Sequence, residues 1–81
     1  MTIVVLLFGP HARAAGAAAV RVVLDEDRSV AAALGCLAAQ HPALAPLLAG
    51  ARLSVNARFA APDTLVSLGD EIALIGMVGG G

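Results

Sequence analysis

The chain has 81 residues, 59% of them hydrophobic and only 14% charged, with a net charge of −1. That length allows one domain, and at this size an efficient core is required. Five scattered arginines, no lysine and two phenylalanines exclude a basic, aromatic-rich nucleic-acid surface.

The first element is a short apolar run, Thr2 to Phe8, rich in β-branched residues. It reads as a strand buried on both faces and therefore central in a sheet. Gly9-Pro10 stops it. After an Ala/Gly-rich connection, Ala19 to Leu24 reads as a second strand with Arg21 pointing outward, so the first two strands are expected to form a hairpin with a long loop.

Ser29 is the expected N-cap of the main helix, with Asp25, Glu26 and Asp27 near the positive end of its dipole. Val30, Leu34, Leu37 and His41 fall at i, i+4, i+7 and i+11, an apolar stripe flanked by Ala33 and Ala38. Pro42 requires the helix to end near Gln40 or His41. A short helical turn from Leu44 to Leu48 is closed by Gly50.

Arg52 to Asn56 alternates as a third strand, with Leu53 and Val55 on one face. Asn56 and Ala57 form the next turn, since Asn tolerates positive φ. A short return strand is expected around Arg58 to Ala60, then turns at Pro62-Asp63 and Leu68 to Glu71, and a last strand from Ile72 to Ile75. The order is that of a two-layer α+β domain with one main helix on a mixed sheet. It divides into a domain over residues 1–75 and a flexible tail over 76–81.

A single cysteine, Cys36, excludes an internal disulfide and any multi-cysteine metal site. It suits a reducing cytoplasm, the expected location. Met1 to Phe8 lacks a basic n-region and a cleavage site, so no signal peptide is expected. Ser29 to Ala51 is uncharged but carries Gln40, His41, Pro42 and Pro46, which argues against a membrane span. Cys36 is offset by two from Leu34, which leaves its exposure open; an inert helix cysteine is the expectation. No acid is placed by motif to orient His11 or His41, and His41 reads as a helix-end residue. Asp70 reads as a turn residue, and Glu71 as a surface charge available for docking to an activating enzyme.

Four features together resemble a known family. They are Phe8-Gly9 after the first strand, "HPAL" from His41 to Leu44, Val55-Asn56 at the end of the third strand, and Gly69-Asp70-Glu71-Ile72-Ala73 leading through Ile75 to Val78-Gly79-Gly80-Gly81. The pattern, which covers nearly the whole chain, resembles the MoaD/ThiS group of β-grasp, ubiquitin-like sulfur carriers. Within that group it is most similar to the small subunit of molybdopterin synthase. Where the family often has Pro-Pro, this chain has Gly76-Met77, which loosens the tail. Gly79 stands where Thr or Ser is frequent.

The resemblance implies that Gly81 is the reacting residue. Its carboxylate, with an ordinary pKa of about 3.5, is ionised at neutral pH and attacks the α-phosphate of ATP. A ubiquitin-activating-like (MoeB-like) adenylyltransferase consumes the ATP, and a sulfur donor then converts the end to a thiocarboxylate. Val78, Gly79 and Gly80 thread narrow channels, where glycine has no Cβ to clash. Extended, Gly76 to Gly81 reach about 20 Å. No bound cofactor and no metal are implied, and the chain is a co-substrate rather than an enzyme. The implied partner is a molybdopterin synthase large subunit (MoaE-like), with neither nucleic acid nor membrane involved. Docking falls to Phe59, Ile75 and Met77, with Val78: an exposed Phe59 would mark a binding face, a buried one would plug the core. The rival readings are a carrier serving thiamine, cysteine or another sulfur metabolite, a ubiquitin-like protein modifier, and an interaction module with an idle tail.

Overall fold

The computed structural model describes residues 1–76. Five strands form one mixed sheet: β1 (Thr2–Leu6), β2 (Ala19–Val23), β3 (Ala51–Val55), β4 (Arg58–Phe59) and β5 (Ile72–Gly76). Their order is β2-β1-β5-β3-β4. β1 and β5 run parallel, and every other neighbouring pair is antiparallel. The chain's first strand therefore lies beside its last, and β5 occupies the middle of the sheet. Two helices accompany it, α1 (Gly9–Ala15) and α2 (Val30–Gln40), with a 3₁₀ turn at Ala45–Leu47. This is the β-grasp arrangement implied by the resemblance.

One face of the sheet carries the core. Ile3, Val5 and Leu7 from β1, Val22 and Leu24 from β2, Leu53 from β3, and Ile72 and Leu74 from β5 pack against Val30, Ala33 and Leu37 of α2. Leu44 and Val66 close the ends of this layer, so the leucine of the HPAL stretch is a core residue. Each fully buried Leu, Ile or Val contributes about 1.5–3 kcal/mol.

α2 starts where Ser29 places it. The Ser29 hydroxyl accepts from the Ala32 amide at 3.1 Å. The first-turn amides of Val30 and Ala31 donate to the Thr64 and Pro62 carbonyls at 2.8 and 3.0 Å. Donors that would otherwise be orphaned at a helix start are thus met by the irregular segment before β5. The expected acidic complement reduces to Asp27, whose carboxylate accepts from the Ser29 amide at 2.9 Å. That bond and the Ser29 side chain hold the carboxyl below the usual range. At the other end the His41 amide donates to the Leu37 carbonyl and Pro42 prevents continuation.

Three expectations are corrected. The β1–β2 connection is not a plain long loop, because α1 fills it. Pro10 lies in its first turn, alanines propagate it, and Gly16 ends it in the left-handed conformation at φ 69°. β1 is interior to the sheet but buried on one face only. Ile3 and Val5 are buried, whereas Thr2 and Val4 are exposed. The last strand also extends one residue beyond expectation, since Gly76 still pairs with Ala51.

Candidate functional site

The site is built around the exit of β5. Register assigns its faces. Ile72 and Leu74 lie opposite Val55 and Leu53 in the core, and Ala73 and Ile75 lie opposite Ser54 and Arg52 on the other face. Phe59 of β4 stands directly across from Ser54, so it shares this open face. Phe59 is 50% exposed, and the Arg52 guanidinium lies 5.0 Å from its ring centroid. Ile75 is half-buried. On the flank of the same face, Val4 and Val23 are about half exposed. The open face therefore carries apolar side chains at several points. Of the residues expected to dock partners, Phe59 and Ile75 come together here. Met77, Val78, Gly79, Gly80 and Gly81 lie outside the described residues.

Two sequence motifs meet at the entry of β5. Asn56 and Ala57 both adopt positive φ, 53° and 67°, in the β3–β4 turn. The Asn56 side chain donates to one Asp70 carboxylate oxygen at 3.0 Å and accepts from the Glu71 amide at 2.9 Å. The second Asp70 oxygen accepts from the Ser67 amide at 2.7 Å. The Asn56 amide donates to the Glu71 carbonyl at 2.8 Å. Val-Asn and Gly-Asp-Glu thus form one lock holding the β3–β4 turn to the start of β5. The bond from Ser67, then that from Asn56, keeps the Asp70 carboxyl below the usual range. Asp70 is a turn residue as expected, and Glu71 is exposed.

At the exit of β5 a trough of about 490 Å³ opens. Phe8 and Pro10 of the β1–α1 corner form one wall, and Leu47 and Gly50 the other. Ile75 and Gly76 lie along it, and His11 faces it. Sequence reasoning missed this feature because it missed α1. The usable signal was Pro10 just inside and Gly16 just past an alanine-rich stretch. His11 is buried, with Nε2 at 3.4 Å from the Leu47 carbonyl oxygen.

The remaining residues have structural places. Cys36 is half-buried and unpaired. His41 Nε2 lies 2.7 Å from the Arg21 carbonyl, and Gln40 bonds both the amide and the carbonyl of Val23 at 2.8 Å. Together they cover the outer edge of β2, where open backbone would invite another strand. Among the described residues no helix is long and apolar enough to cross a membrane, and no three metal-ligating side chains come together.

Comparison with known proteins places this geometry. A search of curated sequences gave no match. The crystal structure of SAMP1 from Haloferax volcanii superposes with a TM-score of 0.81 at 32% identity over the whole of both chains. The solution structure of small archaeal modifier protein 1 from Methanosarcina acetivorans gives 0.79 at 21% identity, covering 99% of this chain and 96% of that one. A complex of subunits 1 and 2 of the molybdopterin-converting factor from Helicobacter pylori 26695 gives 0.65 at 21% identity, with both chains fully covered. The last two likenesses establish the fold alone. The sequence pattern of the ThiS family matches residues 5–81, so the chain belongs to the ThiS family of ubiquitin-like sulfur carriers and modifiers.

Proposed function

We propose that this protein carries sulfur as a thiocarboxylate on Gly81 and delivers it within molybdenum cofactor biosynthesis, as the small subunit of a molybdopterin synthase. The observation that carries the reading is the span of the family match. It runs to residue 81 and so takes in Gly79, Gly80 and Gly81. The position of β5 supports it. The strand leading to those glycines is the middle one of the sheet, anchored at its entry by the Asn56–Asp70 lock.

The chemistry proceeds in two substitutions. A carboxylate oxygen of Gly81 attacks the α-phosphorus of ATP, and pyrophosphate leaves. A sulfur nucleophile at the hydrosulfide level then attacks the acyl carbon, AMP leaves, and the thiocarboxylate remains. Both active sites belong to partners: a MoeB-like adenylyltransferase for the first step and a sulfur donor for the second. The chain is the co-substrate. Val78, Gly79 and Gly80 thread the partner's channel, and Phe59, Ile75 and Met77 dock on its outer surface. A MoaE-like large subunit then receives the sulfur.

Reconstitution tests this. Incubation with ATP, sulfide, a MoeB-like enzyme and a MoaE-like subunit should convert a pterin precursor to a dithiolene product. Sulfur loading of Gly81 without product would retain the carrier and move the acceptor to thiamine, cysteine or another sulfur metabolite.

A second reading is favoured by the 32% identity to a protein named as a small archaeal modifier over the whole of both chains. Here a lysine amine of a target protein attacks the same acyl-adenylate, and AMP leaves as an isopeptide bond forms. The chain has no lysine, so it cannot build lysine-linked chains of itself. Isopeptide remnants of Gly81 on cellular proteins would establish this use.

A further inference from the structure

Five of the six described glycines have open space where a side chain would stand: nothing lies within 4 Å of a Cβ built on Gly9, Gly16, Gly35, Gly50 or Gly69. Gly76 differs. A Cβ there would come 3.1 Å from Cε1 of His11, closer than carbon atoms normally pack. Its φ is not positive, so backbone freedom does not explain the glycine. The reason is space, and His11 occupies it.

The two residues sit where the chain leaves the sheet. Gly76 is the last residue of β5 and pairs with Ala51 on one side. On the other side the β1–β5 ladder has already ended, at Leu6 and Ala73. The strand end is thus held on one edge only, and the 490 Å³ trough gives it room to move. The ring has less freedom. His11 is 6% exposed, fixed on α1 and within reach of the Leu47 carbonyl.

We infer that His11 and Gly76 are a matched steric pair that sets the direction in which the C-terminal segment leaves the domain. His11 is then a positioning residue for the reaction at Gly81. This deepens the carrier reading and rests on it for its consequence in catalysis. Any side chain at position 76 would push the strand end rather than the ring, and the terminal carboxylate would arrive misaligned. A proline at that position would meet the same ring.

The test uses the full chain and a MoeB-like adenylyltransferase with ATP, following pyrophosphate release for wild type, Gly76→Ala, His11→Ala and the double variant. Gly76→Ala should lower kcat about tenfold, since small misplacements of a reacting group are costly. KM should stay within about twofold, because the docking face is untouched. Removing the ring as well should bring kcat back to within about threefold of His11→Ala alone. A Gly76→Ala protein as active as wild type, or a loss that persists undiminished in the double variant, would overturn the inference. A second readout does not depend on the carrier reading. Residual dipolar couplings of the Met77 and Val78 amides should change in Gly76→Ala and return in the double variant, and unchanged couplings would contradict the pair. Failure of wild type to be adenylated would count against the carrier reading, while the couplings would still decide the pair.

Discussion

The two ends of β5 are built differently. At the entry, Asn56, Ser67, Asp70 and Glu71 exchange five side-chain and backbone hydrogen bonds within one small network. At the exit, Gly76 has one ladder neighbour, a histidine ring beneath it and a trough beside it. A strand fixed at one end and released at the other suits a domain that must present a chain end to other enzymes. On the proposed carrier reading the entry serves stability and the exit serves delivery, so changes at the two ends should separate in experiment.

The largest separation is expected from truncation. Removing Gly80 and Gly81 should abolish adenylation while changing unfolding free energy by less than about 0.5 kcal/mol, measured by denaturant titration. The opposite signature is expected at the entry. Asn56→Ala removes both side-chain bonds of the lock and should cost about 1–3 kcal/mol of stability. Its adenylation rate per folded molecule should stay within about twofold of wild type.

Between these lies the open face. Phe59→Ala should weaken binding to a MoaE-like subunit about tenfold, or about 1.4 kcal/mol, as read by calorimetry. Stability should fall by no more than about 1 kcal/mol, because the ring is half exposed and the Arg52 guanidinium lies over it at 5.0 Å.

Asp70 gives the lock a pH dependence. Its carboxyl is held below the usual range in the folded state, so it contributes stability that is fully present above its unfolded pKa. That contribution is lost as pH falls below about 4 toward the folded pKa. Asp70→Asn should therefore be less stable than wild type at neutral pH. The two stability curves should converge as pH falls, and parallel curves from pH 6 to 2.5 would remove Asp70 from the account.

The mildest effect is a gain. Ala57 holds φ at 67°, a conformation costly for any residue with a Cβ. Ala57→Gly should raise stability by about 0.5–1 kcal/mol, with the adenylation rate unchanged.

Much of this fold is legible in the sequence where local chemistry and tertiary context agree. Ser29, Pro42, Asn56 and Gly69 each act locally, and α2, the β3–β4 turn and the start of β5 stand where those residues indicate. β1 misleads for a physical reason. Its unbroken apolar run reads as burial on both faces, but Val4 is left exposed on the open face of the sheet. α1 is hidden because alanine and glycine carry little periodic signal, and with it went His11 and the trough. The contact between Asn56 and Asp70 joins residues 14 apart in sequence, and no single-position signal reveals it. Phe59 and Ile75 are singled out by family resemblance rather than by periodicity, and the register of β3, β4 and β5 puts the two residues on one side of the sheet.

The most direct test of the central claim is the intact mass of the full chain after incubation with ATP, sulfide and a MoeB-like adenylyltransferase, beside a sample lacking Gly81. The account predicts that the full chain gains one sulfur in place of one oxygen, mapped to the Gly81 carboxyl by fragmentation, and that the shortened chain does not. A full chain that keeps the mass of its free acid under those conditions would contradict the sulfur-carrier reading.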